Sequence, residues 1–282
     1  MLMGSGSYDF GARAARAASS GYTTKSREHV FTQKSVHDLM NPKGVIRECR
    51  DNADHPNSFP IMLFCDVTGS MGYIPFELIK TGLPTIMGKV LAAGFADATI
   101  CIGAVGDHKK DRGPLQVGQF ECSDALIDSW LEKIWIEEGG GGNGGESYFL
   151  PWLFAANQVQ TDAFSKRNQK GVIITIGDEN VHSSISPAEI EYITGQKDCK
   201  LHSTADILKE CQKRWDVFHV AISSDGESHW KSLLGERYLR TGSDPDSIMK
   251  TISETVLQYS PKVVETADPE RPTSNEQFSI TL

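Results

Sequence analysis

Three oxygen-bearing side chains follow one apolar segment in close succession. Residues 59–65 read Phe-Pro-Ile-Met-Leu-Phe-Cys, and Asp66, Thr68 and Ser70 come directly after them. A continuous apolar run of this length is typical of a strand covered on both faces. A carboxylate followed by two hydroxyls on a glycine-containing turn supplies the hard oxygen ligands that Mg²⁺ prefers. The same residue types also cap helices, so an N-cap cluster is the other interpretation.

Two later segments add further oxygen donors. A glycine-rich stretch, residues 139–145, contains Asn143 and is followed by Glu146, and a later apolar segment is followed by Asp178. The return to apolar residues soon after Glu146 favours a shaped loop over a flexible linker. The carboxyl ends of parallel strands meet at one edge of an α/β sheet. Asp66 and Asp178 would repel each other there, and a divalent cation removes this conflict.

The ordered set of three segments resembles the metal-ion-dependent adhesion site of the von Willebrand factor A family. The first element of that family is Asp-x-Ser-x-Ser, and Thr68 keeps the hydroxyl of the first serine. The second loop commonly reads Gly-Gly-Thr-Asn, and Gly142 stands where its threonine ligand would be. The third element is an apolar strand that ends in Thr-Asp, and Asp178 is the matching carboxylate. The resemblance covers about residues 58–260.

This resemblance implies an α/β fold with a Rossmann-like, doubly wound and mainly parallel sheet flanked by helices. It also implies one Mg²⁺, with Mn²⁺ or Ca²⁺ as alternatives, and Asn143, Glu146 or a water in place of the missing threonine. The implied ligand set is Asp66, Thr68, Ser70, Asn143, Glu146 and Asp178. In the family, a partner protein donates an Asp or Glu carboxylate to the metal. Intracellular members often serve multiprotein assemblies, including ones built around AAA+ ATPases, and a subunit of a large particle would have the same features.

A charged loop follows the second predicted strand. Asp107, His108, Lys109 and Asp111 lie in this loop, and we expect them to rim the metal site together with His182. Their charges would then select the partner protein. A solvated run of charges is the alternative interpretation. No pair of histidines has the sequence spacing of a zinc site.

The remainder of the chain alternates predicted strands and helices, which indicates a mainly parallel sheet with helices on both faces. Strands are predicted at 59–65, 99–105, 115–120, 171–176, 217–222 and 238–240, with 115–120 as an edge strand. Helices are predicted at 73–94 with a break near Pro84, at 123–135, 147–159, 229–234 and 245–258, and from Pro187 and Ser203.

Composition divides the 282 residues into three parts. Residues 1–57 form an arm with eight Lys and Arg and six acidic residues, residues 58–260 form the predicted domain, and residues 261–282 form a tail. We expect the basic arm to dock on the acidic body, or on a neighbouring subunit, without joining the sheet. The net charge of −9 argues against a surface that coats nucleic acid.

Cysteine use and hydrophobicity bear on the cellular compartment. The six cysteines have neither the paired spacing of a zinc knuckle nor the density of a disulfide-rich scaffold. The chain has no apolar stretch long enough for a membrane span and begins without a signal-peptide pattern. We therefore expect a soluble, cytoplasmic protein with neither a membrane nor a nucleic-acid partner.

Enzymatic functions agree less well with these residues. A haloacid dehalogenase-like, Mg²⁺-dependent phosphatase would use Asp66 as its nucleophile, but such enzymes usually place a second Asp where this chain has Thr68. The patterns of a serine hydrolase elbow and of a phosphate-binding loop are both incomplete. A structural subunit with the same fold and no metal is a further alternative. The sequence favours a non-enzymatic, cation-dependent protein-protein interaction module within a larger assembly.

Overall fold

The computed structural model describes residues 7–20, 26–78, 83–137, 139 and 144–259. Its strands are β1 (Arg47–Cys49), β2 (Phe59–Asp66), β3 (Ala98–Val105), β4 (Leu115–Glu121), β5 (Val159–Thr161), β6 (Gly171–Gly177), β7 (Trp215–Ala221) and β8 (Tyr238–Arg240). Its α-helices are α1 (Phe10–Ser20), α2 (Arg27–Val30), α3 (Ile74–Glu77), α4 (Leu83–Ala92), α5 (Asp124–Leu131), α6 (Phe149–Asn157), α7 (Asp162–Arg167), α8 (Pro187–Thr194), α9 (Thr204–Cys211), α10 (Glu227–Leu234) and α11 (Pro245–Tyr259).

A six-stranded sheet with the order β4-β3-β2-β6-β7-β8 forms the centre of the molecule. All neighbouring strands are parallel except β3 and β4, which are antiparallel. Numbered within this sheet alone, the order is 3-2-1-4-5-6, which is that of a Rossmann-like, doubly wound fold. The predicted fold class is therefore confirmed. The strand order reverses between β2 and β6, and this is where such sheets bind ligands.

Alternation of side chains along the central strands explains the two cores. Ile61 and Leu63 of β2 face one core, which also contains residues of α4, α5 and α11. Met62 and Phe64 face the other core, which contains residues of α6, α8, α9 and α10. Every residue of β2, β3 and β6 is buried. The continuous apolar runs in the sequence have this cause, because both faces of the strand are covered.

The predicted strands agree with the observed strands to within about two residues. The helix predicted over 73–94 comprises α3 and α4, and residues 79–82 between them lie outside the described part of the chain. The short elements β5 and α7 were not predicted. Strand β4 is an edge strand as expected, but all of its residues are buried. The Arg47 guanidinium explains part of this burial, because it donates a hydrogen bond to the Val117 carbonyl oxygen at 2.8 Å.

Parts of the basic arm pack against the acidic body of the same chain. Arg13 of α1 pairs with Asp128 of α5 at 2.9 Å, and Arg16 pairs with Asp124 at 2.5 Å. Strand β1 pairs with β5 in a separate two-stranded sheet and does not join the central sheet. Met40 is fully buried in the same core as Ile61 and Leu63. The boundary in composition at residue 57 therefore does not coincide with a boundary in packing.

All six cysteines are free thiols, and all except Cys199 are buried. Within the described residues, no helix has the length and apolar character needed to cross a membrane. The predicted tail, residues 261–282, lies outside the described residues.

Candidate functional site

Four segments meet at the carboxyl edge of the central sheet, beside the point where the strand order reverses. Three of them follow β2, β3 and β6, and the fourth precedes α6. Their backbones are directly hydrogen-bonded: Val67 N–H donates to Val105 O at 3.0 Å, and Ser147 N–H donates to Gly106 O at 3.1 Å. Glu146 N–H donates to the backbone oxygen of Asn180 at 2.8 Å. These bonds join residues that are 34 to 41 positions apart in the sequence.

Asp66 ends β2 and is completely buried. Its Oδ1 accepts hydrogen bonds from the backbone N–H and the hydroxyl of Thr68, at 2.8 and 2.6 Å. Its Oδ2 accepts a hydrogen bond of 2.5 Å from the hydroxyl of Tyr148. Burial nevertheless raises the pKa of Asp66 to about 7, because the three donors only partly offset the loss of hydration.

The two hydroxyls lead from Asp66 towards the surface. Thr68 Oγ1 lies 3.3 Å from Ser70 Oγ, and Ser70 is exposed. Ser70 Oγ donates to Asp178 Oδ1 at 3.1 Å. Asp178 is half-buried, and this burial raises its pKa even though the bond from Ser70 acts in the opposite direction. Asp66, Thr68, Ser70 and Asp178 therefore form one connected group of oxygen atoms.

The glycine-rich segment lies against the loop after β2. Gly69 N–H donates to the carbonyl oxygen of Gly139 at 3.0 Å. Gly142 and the predicted ligand Asn143 lie outside the described residues. Gly144 has a φ of +75°, a left-handed backbone conformation that glycine adopts without steric strain.

Glu146 is 1% exposed, and its Oε2 has no hydrogen-bond partner among the described residues. Burial, followed by the negative charges of Asp66, Asp107 and nearby carboxylates, raises the pKa of Glu146 to about 9. An unpartnered buried carboxyl group is costly unless a cation or a proton compensates its charge. The negative charge of Asp66 contributes to this cost, which a cation would relieve.

The five predicted rim residues lie at different depths. Lys109 is exposed and Asp111 is half-buried, but Asp107 and His182 are buried, and so is the His108 ring. His182 Nε2 is 2.9 Å from Asp107 Oδ1, and Asp111 Oδ2 accepts from Asp107 N–H at 2.7 Å. This placement differs from the expected rim, because the polar side chains of the loop satisfy one another beneath its surface.

Sequence reasoning missed Tyr148, whose hydroxyl is the donor to Asp66. Its pKa lies well above the usual value because the residue is buried and Asp66 is close. The ring is completely buried and packs against His219 and Trp230, with centroid distances of 4.8 and 5.6 Å. The available signal was a tyrosine at the start of an otherwise apolar helical segment, because a buried phenol usually has a hydrogen-bond partner.

Three interactions hold the rings that pack against Tyr148. The rings of His219 and Trp230 are stacked, with 3.8 Å between their centroids, and Trp230 Nε1 donates to the Glu179 carbonyl oxygen at 3.1 Å. His219 Nδ1 lies 2.9 Å from Thr175 Oγ1. Burial lowers the pKa of His219 to about 3, so its ring is neutral and can pack inside the core. Strands β6 and β7 and helix α10 therefore hold the ring that orients Asp66.

The oxygen atoms at this edge suit a hard divalent cation. The Thr68 and Ser70 hydroxyls each donate their hydrogen to a carboxylate, which leaves the oxygen lone pairs for a cation. Three of the roughly four lone-pair positions of Asp66 are used by protein donors, so this carboxylate can hold a cation through one more contact or through water. Glu146 Oε2 has no partner among the described residues and is available to a cation that displaces its proton.

The sequence matches no protein-family model and no curated protein. Among solved structures, the chain is similar to the pilus adhesin SpaC from Lactobacillus rhamnosus GG in its open conformation and in a further crystal structure. Both matches have 11% identity and a TM-score of 0.49, and both cover 79% of this chain. They cover 33% and 34% of the adhesin, so this chain spans about a third of that protein. A likeness of this size does not transfer a function.

Proposed function

We propose that this protein is a divalent-cation-dependent protein-binding module. Mg²⁺ is the expected cation, held by Asp66, Thr68, Ser70 and Asp178, with Glu146 beside them. The observation that supports this proposal most directly is the connected oxygen group, in which Ser70 Oγ lies 3.3 Å from Thr68 Oγ1 and 3.1 Å from Asp178 Oδ1. Residues from two different strand ends meet there, as expected of a ligand site in a doubly wound sheet.

Coordination chemistry supports a role in binding an acidic partner. Mg²⁺ prefers six oxygen ligands, and two hydroxyls with two carboxylates do not complete that number. Water fills the remaining positions until a stronger ligand arrives. Because Ser70 is exposed and Asp178 is half-buried, a carboxylate of a partner protein can approach from solvent. The exposed Lys109 and the neighbouring basic side chains Lys110 and Arg112 favour acidic partners.

The position of Asp66 argues against the phosphatase alternative. A nucleophilic carboxylate has to present a free oxygen to a phosphorus atom of the substrate. Here the side chain is fully buried, and both of its oxygens already accept hydrogen bonds, from Thr68 and from Tyr148. The carboxylate is arranged to orient its neighbours and to offset positive charge.

Cation binding can be tested by calorimetry with Mg²⁺ and with Mn²⁺. Asp66→Ala and Asp178→Ala should each abolish binding and leave the circular dichroism spectrum of a folded α/β protein. Asp246→Ala, an exposed aspartate in the first turn of α11, is the matched control and should bind like the wild type. Unchanged affinity in either site variant would place the cation elsewhere.

Partner binding should depend on the same cation. A partner captured with Mg²⁺ should be released by a chelator and bind again when Mg²⁺ is restored. One Asp→Asn or Glu→Gln change in the partner should have the same effect as the chelator. Binding between purified components that persists in excess chelator would contradict the proposal.

A further inference from the structure

A second group of side chains that could bind a metal joins the loop that follows β3 to the segment that follows β6. One ligand atom each from Asp107, His108 and His182 lies within 4.8 Å of the other two. Asp107 Oδ1 is 2.9 Å from His182 Nε2 and 3.9 Å from His108 Nδ1. His108 and Asp107 follow β3, whereas His182 follows β6. The sequence spacing did not indicate this group, because β4, α5, α6, β5, α7 and β6 lie between His108 and His182 in the chain.

These separations suit a tetrahedral ion. Zn²⁺ lies about 2.0–2.2 Å from nitrogen and oxygen ligands, which places two ligands of a tetrahedron about 3.4 Å apart. The observed distances of 2.9 and 3.9 Å lie on either side of this value. Metal binding therefore requires the imidazole rings to rotate, and His108 Nδ1 has to give up its 2.6 Å contact with Ser147 Oγ.

The surroundings of the group are buried and negatively charged. Asp107 is fully buried, and the His182 and His108 side chains are 6% and 1% exposed. Glu146 lies alongside, and its Oε2 has no partner among the described residues. The backbone of Glu146 is joined to His182, whose N–H donates to Glu146 O at 3.1 Å, and the charge of Asp107 is one of the causes that raise the pKa of Glu146. A cation at this place would compensate two buried carboxylates.

We propose that Asp107, His108 and His182 form a second metal site, which binds a borderline divalent cation such as Zn²⁺ and has Glu146 as an additional oxygen donor. Two imidazoles and a carboxylate suit Zn²⁺ or Co²⁺, whereas Mg²⁺ prefers oxygen ligands only. This inference does not depend on the function proposed for the group at Asp66. A metal here would cross-link the loops after β3 and β6.

Lys109 supplies a specific test of this arrangement. Its Nζ lies 3.3 Å from His182 Nδ1. Because an ammonium group can only donate, His182 Nδ1 accepts from Lys109 and the single proton of the neutral ring lies on Nε2, facing Asp107. When Nε2 binds a metal, that proton leaves Nε2 and the neutral ring carries its proton on Nδ1 instead, facing Lys109. The ammonium group must then turn away into solvent, which an exposed side chain can do. Lys109→Ala should therefore raise the affinity for Zn²⁺, and Lys110→Ala, an exposed neighbour, is its matched control.

The experiment is a titration of the full chain with Co²⁺ in excess Mg²⁺, followed by displacement with Zn²⁺. We expect one equivalent of Co²⁺ with the intense visible absorption of a tetrahedral ion. His108→Ala and His182→Gln should each lower the Zn²⁺ affinity at least tenfold, and Lys109→Ala should raise it severalfold. His29→Ala, in an exposed histidine of the arm, and Lys110→Ala should leave it unchanged.

The variants also distinguish this site from the one at Asp66. Asp178→Ala should retain the Co²⁺ absorption, because Asp178 belongs only to the hard-cation group. His182→Gln keeps an amide that can donate to Asp107, so it tests the site even if His108→Ala fails to fold. Absence of tetrahedral Co²⁺, Zn²⁺ affinity that is insensitive to His182→Gln, or loss of the signal in folded Asp178→Ala would each overturn the proposal.

Discussion

The carboxyl groups of Asp66 and Glu146 are both buried, and their surroundings differ. Asp66 accepts three hydrogen bonds, from Thr68 and Tyr148, whereas Glu146 Oε2 accepts none from the described residues. This difference agrees with the order of their pKa values, about 7 for Asp66 and about 9 for Glu146. Without a cation, Glu146 is therefore the first of the two groups to take up a proton as the pH falls.

This protonation makes the stability of the cation-free protein depend on pH. The folded-state pKa of Glu146 is raised from 4.5 to about 9, so its contribution to stability is complete below about pH 4.5 and is lost as the pH rises towards 9. Glu146→Gln removes this group. In the presence of chelator at pH 8, urea unfolding should give the variant a free energy of unfolding about 1 to 3 kcal/mol higher than that of the wild type. The difference should be smaller at pH 5.

Glu191→Gln is the control for this measurement, because Glu191 is an exposed carboxylate on α8. Its stability should follow that of the wild type at both pH values. Divalent cations should reduce the advantage of Glu146→Gln at pH 8, because they compensate the ionised carboxylate of the wild type. Equal stability of Glu146→Gln and the wild type at pH 8 would show that Glu146 is not an uncompensated buried group.

At the scale of elements, Gly177 at the end of β6 allows Tyr148, just before α6, to lie close to the sheet. Gly177 is the last residue of β6, and a Cβ atom at this position would overlap the ring and the hydroxyl of Tyr148. The tyrosine precedes α6 and donates to Asp66. A glycine is therefore required for the close contact between strand and ring, and its backbone φ is not the reason. The hydrogen bond to Asp66 depends on this contact.

Gly177→Ala should consequently disturb both packing and the site. Overpacking of a buried contact typically costs about 1–3 kcal/mol, and the displaced Tyr148 would no longer be held against Asp66. We expect a lower urea midpoint together with weaker Mg²⁺ binding in calorimetry. Gly11→Ala in the first turn of α1 is the control, because the one atom near an added Cβ there is the side-chain Oδ1 of Asp9, at 3.3 Å. Wild-type stability of Gly177→Ala would show that α6 can move away without cost.

For the whole molecule, the arm has two parts with different roles. Helix α1 is attached through ion pairs to α5, as its basic composition suggested. Met40 and Cys49, by contrast, are completely buried, and the Arg47 guanidinium donates to the carbonyl oxygens of Leu39 and Val117. Burial of a positive charge among backbone carbonyls is stable only while those contacts persist. The second half of the arm is therefore part of the folded body.

Truncations at two positions should separate these roles. A chain that starts at residue 26 loses α1 and should still unfold cooperatively. A chain that starts at residue 58 loses Met40, Arg47 and Cys49. Removal of one large buried side chain costs about 2–5 kcal/mol, and a whole domain has only about 5–15 kcal/mol of stability. We expect no cooperative thermal transition in the shorter chain, and a transition like that of the full chain would return the domain boundary to residue 57.

The order of strands and helices followed from the sequence, because the periodicity of apolar residues records which faces of an element are covered. Buried strands such as Ile61–Phe64 and Val172–Ile174 read as continuous apolar runs, and Ser186-Pro187 and Ser203 opened helices as expected of capping residues. The convergence of Asp66 and Asp178 was predictable for a related reason. Strand ends in a parallel sheet share one edge, so side chains that follow those strands must come close together.

Only the tertiary structure decided which side chains touch across that edge. Three contacts join segments that are far apart in the sequence. They are the hydrogen bond from Tyr148 to Asp66, the group of Asp107, His108 and His182, and the hydrogen bond from Arg47 to Val117. Such contacts depend on strand order and on the depth of each side chain, and neither leaves a periodic signal in the sequence. The composition predicted that residues 1–57 lie outside the body, because the charge of a segment indicates its preference for solvent. Charge does not indicate the packing partners of individual residues such as Met40.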